Sequence, residues 1–235
     1  MMFNSNFTKI LGDKMNYTLL KEFEKYVDGK FDECISPVLV LPFLCSKYDC
    51  NHKSMLDDLS NDFNLREITL NNTDDVINDF YMESGINNQN AFKFIFHEIL
   101  DNIHEHSKFS HAFALSRCYA DVIDYCFLDD GISIQNSFEN NNFSFENDCD
   151  AILKAINGKS TKQVSGYLER GYGLNNIVSL TSLDNNGAVL IASRNGIIYI
   201  DKNKIYKREL FKITINGCIV ALRLNVNRIS IIFTH

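Results

Sequence analysis

The second half of the chain predicts a two-layer α/β sandwich. Three observations carry that expectation. An apolar stripe at helical spacing runs through Phe92, Ile95, Phe96, Ile99, Leu100 and Ile103. Two strand-like runs follow, at 112–118 and 122–128, the second ending on Asp129-Asp130-Gly131. A closing series of strand-like runs lies at 188–193, 197–200, 211–215 and 219–224. With further helices expected at about 145–156 and 173–183, three helices would cover a sheet of about six strands.

Taken in chain order, residues 1–85 read as a small α/β region. Leu19, Leu20, Phe23, Tyr26 and Val27 carry a helical stripe, and Met55, Leu56, Leu59 and Phe63 repeat the pattern. The only two prolines, Pro37 and Pro42, flank Val38-Leu39-Val40-Leu41, which reads as a short buried strand between turns. Nothing in this region has the arrangement of a catalytic site. The larger domain is expected over 86–225, with a tail at 226–235.

Composition narrows the class of function. An apolar share of 45% with 18 Phe supports a substantial core. The net charge of −7 argues against a dedicated nucleic-acid surface, which needs clustered basic residues. One basic run, Lys202, Lys204, Lys207 and Arg208, reads as a solvated hairpin tip. Residues 1–14 lack the apolar core of a secretory signal, and no uninterrupted apolar stretch is long enough to cross a bilayer. The seven cysteines (34, 45, 50, 118, 126, 149 and 218) form no CxxC pair, so reduced thiols in a cytoplasmic protein are expected.

Three short motifs carry candidate chemistry. The first is His97-Glu-Ile-Leu-Asp-Asn102 inside the long helix, where Glu98 and Asn102 share one face a turn apart. A carboxylate there can orient or deprotonate a nucleophile, and an amide oxygen suits magnesium. The second is Leu128-Asp-Asp-Gly-Ile-Ser-Ile134, where a carboxylate at a strand end can accept from a purine amino group and glycine permits close backbone approach. The third is Ser160-Thr161-Lys162 followed by Glu169-Arg170-Gly171-Tyr172-Gly173-Leu174, a polar loop feeding a helix start that favours an anion. Singly, these are also an ordinary polar helix face, an Asp-Gly turn and a loop-to-helix junction.

In this order the motifs resemble the Bergerat-fold superfamily, which includes DNA gyrase, the large heat-shock chaperones, histidine kinases and mismatch-repair ATPases. The resemblance covers about 140 residues and is nearest to histidine-kinase-like or anti-sigma-kinase-like ATP-binding domains. It implies a Bergerat ATP-binding fold with a mixed sheet and one helical layer, and ATP with magnesium as ligands. By that similarity Glu98 matches the catalytic or water-polarising acid and Asn102 the magnesium ligand. Asp129 matches the aspartate that reads the adenine amino group, with Gly131 and Ile134 shaping the base pocket. Thr161 and Lys162 match a lid Thr-Lys and Arg170 adds charge there, while Gly171, Gly173 and Leu174 match the glycine box around the phosphates.

Two positions depart from the family pattern. Ser133 stands where glycine is usual, and a positive φ there would cost roughly 1 kcal/mol or more. Gly217-Cys218 stands where Gly-Thr is usual, and losing that hydroxyl would weaken nucleotide affinity by on the order of 1 kcal/mol.

His97-Glu98-x-x-Asp101 shares its first two residues with the zinc motif HExxH, but His104, His106 and His111 supply no clear ligand set. A GxSxG elbow and a Walker A loop are both missing from the sequence. His52 lacks the acidic neighbour and proline of a phosphoacceptor histidine. Two functions follow from the resemblance. One is a regulatory ATPase or protein kinase acting on a partner protein. The other is a nucleotide-gated binding module whose lid, about 157–170, orders around ATP. Neither implies nucleic acid or membrane as partner, and either is compatible with an oligomer.

Overall fold

The computed structural model describes residues 19–31, 36–158, 163–164, 167–168, 173–202 and 204–226. Its centre is a seven-stranded sheet built from β1 (Phe63–Glu67), β2 (Ala112–Cys118), β3 (Val122–Asp129), β6 (Ala188–Arg194), β7 (Gly196–Asp201), β8 (Lys204–Glu209) and β9 (Ile215–Asn225). The strand order is β1-β2-β3-β9-β6-β7-β8. Two further strands, β4 (Gln163–Val164) and β5 (Tyr167–Leu168), form a separate small hairpin.

Every strand pair in the large sheet is antiparallel, which corrects the expected mixed sheet. The physical reason lies in the connections. Short links join β2 to β3, β6 to β7 and β7 to β8, and such links can only join antiparallel neighbours.

The period of two along the strands divides the core between two faces. On β3, Ile123, Tyr125 and Phe127 join one apolar cluster. Cys126 and Leu128 join another on the opposite face. The first face is covered by α4 (Thr73–Ser84), α5 (Gln89–Asn102), α7 (Asp148–Ile156) and α8 (Gly173–Val178). Phe92, Phe96 and Tyr125 stack and meet edge-on there, with Phe92 and Phe96 centroids 4.0 Å apart and Phe96 and Tyr125 4.8 Å apart.

The second face is covered by α1 (Leu19–Val27), α2 (Pro37–Tyr48) and α3 (His52–Asp58), through Leu19, Phe23, Val38, Leu41 and Met55. Helices therefore lie on both faces, a correction to the single helical layer. The α+β sandwich itself holds. Within the first 85 residues, β1 pairs along β2 and α1 and α2 pack on the same sheet as the later strands.

The run at 38–41 is helical, not a strand. Ser36 caps α2 with its hydroxyl, accepting from Val38 N at 3.4 Å, and Pro37 occupies the first turn, where its missing N–H costs nothing. Residues 37–42 are apolar all round because this part of the helix is buried all round, so no amphipathic period could mark it. The Ser36 hydroxyl also donates to Asp124 at 3.4 Å, and Arg223 holds that buried carboxylate with two bonds of 2.7 and 2.8 Å. This pinned charge sits between α2 and β9.

Two other expectations are corrected at the end of the chain. Lys202 sits exposed in the β7–β8 turn as expected, but the rest of the basic run, Lys204, Lys207 and Arg208, lies exposed along edge strand β8. Residues 211–214 form no strand, and β9 begins at Ile215. Among the described residues, no helix is long and apolar enough to cross a membrane.

Candidate functional site

The site begins with α5. Asn88 caps it, accepting from Ala91 N at 3.1 Å, and its apolar stripe packs Phe92, Ile95, Phe96 and Ile99 into the core. That burial fixes the rotation of the helix, so Glu98 and Asn102 are carried together on its half-buried flank. Asn102 Nδ2 donates to the Glu98 carbonyl at 2.6 Å, which turns the amide oxygen away from the helix. The helix then widens into a looser π-type turn over Ile103–Ser107. Such turns re-aim side chains and recur at functional sites.

Ser107 closes that turn. Its hydroxyl donates to the Ile103 carbonyl at 2.7 Å and also touches the Asp129 carboxyl, while its own carbonyl accepts from Ile132 N. Gly131 is required beside it. A Cβ on Gly131 would stand 2.1 Å from the Ser107 carbonyl oxygen, inside any contact distance.

Asp129 ends β3 and is only 3% exposed. Burial pushes its carboxyl up to about 7, with the Gly131 N–H at 3.0 Å pulling down, Asp130 pushing up and the Ser107 hydroxyl pulling down. A strongly perturbed carboxyl lining a cavity is a mark of functional sites. The cavity wall is otherwise largely apolar, formed by Ile99, Ile103, Ile132, Ile134, Phe138, Leu174, Ile177 and Val220, with Asn102, His106, Ser133, Gly173 and Cys218 among the rest. A mostly apolar hollow with a few convergent polar groups is what a planar base or similar ligand needs.

The third motif meets the first at Gly173. A Cβ placed there would stand 2.7 Å from Glu98 Oε2 and 3.3 Å from Asn102 Nδ2. Three residues into α8, Asn176 donates to Glu98 Oε1 at 3.0 Å. The helix start therefore rests directly on the acid and the amide, and glycine is what lets it do so.

Glu98, Asn102, Asp129, Ile134, Gly173 and Leu174 thus gather around one region. Asn102, Asp129, Ile134, Gly173 and Leu174 line the cavity, and Glu98 sits behind Gly173. Gly131 does not line it. It supports the wall through Ser107 and faces a second hollow on the far side of the turn. Thr161, Lys162, Arg170 and Gly171 lie outside the described residues.

The two departures from the family pattern have structural readings. Ser133 has φ −64°, so the expected strain is absent, and its hydroxyl caps a helix, α6 (Ile134–Asn140), by accepting from Asn136 N at 3.1 Å. Cys218 stands opposite Asp129 in the β3–β9 register. Burial first, and the nearby Asp129 second, push its thiol well above the ordinary range, so it stays protonated.

Sequence reasoning missed Ser107, Asn176 and Ser193, and weighed His106 only as a zinc ligand. Ser193 donates to Gly217 O at 2.9 Å and accepts from Ile134 N at 3.2 Å, tying β6 to both sides of the Asp129 turn. None of the four belongs to a local pattern, so only the fold could bring them in. Among the described residues no three His, Cys, Asp or Glu side chains converge as a metal site, and His97 lies on the surface, 3.8 Å from Asp74.

No family model matches the chain, and a search of curated proteins finds no match either.

Proposed function

We propose that this chain binds ATP with magnesium in the cavity beneath Asp129, as a histidine-kinase-like domain of the Bergerat type, and serves as a regulatory ATPase or protein kinase acting on a partner protein. One observation supports the reading above all others. Three motifs separated by tens of residues meet, with Gly173 against both Glu98 and Asn102 and with Asp129 on the wall that Gly173 and Asn102 share.

On this reading the buried Asp129 carboxyl accepts from the adenine amino group, and the apolar wall stacks on the base. The Asn102 amide oxygen would hold magnesium, an oxygen-seeking ion that supplies charge neutralisation along the phosphates. An amide oxygen is a hard ligand of the kind that ion accepts beside nucleotide phosphates. Glu98 orients the acceptor hydroxyl or water, and Asn176 keeps its carboxylate turned toward the helix start.

Two substitutions test the assignment. Glu98→Ala is expected to leave ATP affinity within about threefold while turnover falls by about 100-fold or more, the usual scale for a lost general base. Asn102→Ala is expected to abolish the magnesium dependence of ATP binding measured by calorimetry. Unchanged magnesium-ATP affinity in Asn102→Ala would remove Asn102 as the ligand. A wild type without turnover in the presence of any added protein would favour the nucleotide-gated binding module.

A further inference from the structure

Cys45 and Cys50 close the C-terminal end of α2. Asp49 adopts the left-handed conformation at φ 49°, and its N–H returns to Cys45 O. Cys50 N also donates to Cys45 O, at 3.1 Å, and Cys50 is itself left-handed at φ 56°. In a helix stop of this kind, the side chains of the residue whose carbonyl accepts and the residue past the stop that donates to it frequently pack together. Here both are cysteines. Cys45 directs a side-chain hydrogen bond at Cys50, and both side chains line one hollow.

The exposure of the two thiols differs. Both line the second hollow together with His111 and Asp130, but Cys45 is buried at 7% exposure while Cys50 is half-buried. His111 Nδ1 lies 2.8 Å from Asp130 Oδ2, and Asp130 Oδ1 accepts from the N–H groups of Ser110 and His111 at 2.8 Å each. That hydrogen bond holds the imidazole above its usual range, and His111 and Cys50 line the same hollow. The hydrogen bond from Cys45 and the charge on His111 draw the Cys50 thiol down, against burial and the negative Asp130 and Asp49. Cys45 is driven the other way, by its bond to Cys50 and by burial.

We propose that Cys50 is a reactive thiol and Cys45 its resolving partner, forming a redox-active pair that reacts with low-molecular-weight disulfides. The Cys50 thiolate attacks one sulfur of the disulfide, a new S–S bond forms, the old one breaks, and one thiolate leaves. Cys45 then loses its proton to solvent and attacks Cys50 Sγ, expelling the second thiolate and closing the Cys45–Cys50 bridge. Two electrons pass from the protein pair to the small disulfide, which ends as two thiols. This pair stands apart from the nucleotide reading and does not depend on it.

The test uses the full chain, first reduced. At pH 7, iodoacetamide is expected to modify Cys50 about tenfold faster than the exposed Cys118, whose thiol burial and Glu83 push up, with sites read by peptide mass spectrometry. His111→Gln is expected to slow Cys50 by about threefold. With excess oxidised glutathione, the wild type is expected to end as a Cys45–Cys50 disulfide. Cys45→Ser should stop with glutathione on Cys50, and Cys50→Ser should leave Cys45 unmodified. Cys118 reacting as fast as Cys50, a wild type that halts at the mixed disulfide, or a bridge to any other cysteine would overturn the proposal. The alkylation arm needs no variant, so a poorly folding mutant does not blunt it.

Discussion

On the proposed reading, Asp129→Asn is expected to weaken ATP binding by at least about tenfold while making the ligand-free protein more stable above neutral pH. Both effects come from removing one buried carboxylate. A carboxyl at 3% exposure whose pKa is raised by burial from 3.8 to about 7 is costly to ionise in the folded state. The sign follows from proton linkage. Between about pH 4 and 7 the folded chain holds a proton that the unfolded chain has released, so stability falls as pH rises through that window. The full penalty of roughly 4 kcal/mol is in place above about pH 8, at about 1.4 kcal/mol for each tenfold difference in proton affinity between the folded and unfolded chain.

Asparagine removes the charge and keeps an oxygen for the Gly131 N–H. Urea midpoints for variant and parent should therefore coincide near pH 4 and separate progressively to about pH 8.5, with the variant higher. On the proposed reading, the same exchange replaces a charge-assisted hydrogen bond to the base by a neutral one, a loss on the order of 1.5 kcal/mol or more. A variant less stable than its parent at about pH 8.5 would show that Asp129 is not an uncompensated buried acid.

Gly217→Ala is expected to lose about 3 kcal/mol or more of folding stability, or to yield no soluble protein. Gly217 has φ +75°, and a Cβ there would stand 2.0 Å from the Asp129 carbonyl oxygen and 2.9 Å from Gly131 N. Both contacts are to backbone at the end of β3, where Asp129 pairs with Cys218, so no side chain can swing away to relieve them. The left-handed penalty adds about 1–2 kcal/mol. Gly29→Ala provides the control. Gly29 has φ +68° with nothing within 4 Å of its added Cβ, so its substitution should cost only the conformational part, about 1 kcal/mol. Equal denaturant midpoints for the two variants would contradict the close packing of β9 on the Asp129 turn.

How much of the fold is legible in the sequence depends on local periodicity. The long helix ending at Asn102, the strands at 112–118 and 188–193 and the helix opening at Gly173 each carry their own signal, and the structure holds each of them there. Helix α2 carries no such signal. A stretch of helix buried on all sides has no polar face, and Val-Leu-Val-Leu is as good a strand as a helix core by pattern alone. The informative residues are Ser36 and Pro37, a cap and a first-turn proline.

β8 is obscure for the opposite reason. Five of its six residues are exposed, so the strand has no buried face to alternate against. Helix α6 is hidden because Ser133 reads, against the family pattern, as a replaced glycine, whereas its hydroxyl serves as a cap.

The site divides along the same line. Glu98 and Asn102 can be placed together from their spacing, because α5 sets their phase. Their meeting with Gly173 and with the Asp129 wall can be expected only through a family likeness, since several strands and helices intervene between α5 and α8. Ser107 and Asn176 have no pattern to announce them. They serve by touching Asp129 and Glu98 across tertiary contacts.

Calorimetric titration of the full chain with ATP, ADP and GTP, each with and without magnesium, bears on the nucleotide reading without any substitution. The proposed reading of Asp129 and Asn102 predicts saturable ATP binding, at least about tenfold preference over GTP and a clear gain with magnesium. Equal affinity for ATP and GTP, or no binding of either at millimolar concentration, would contradict it.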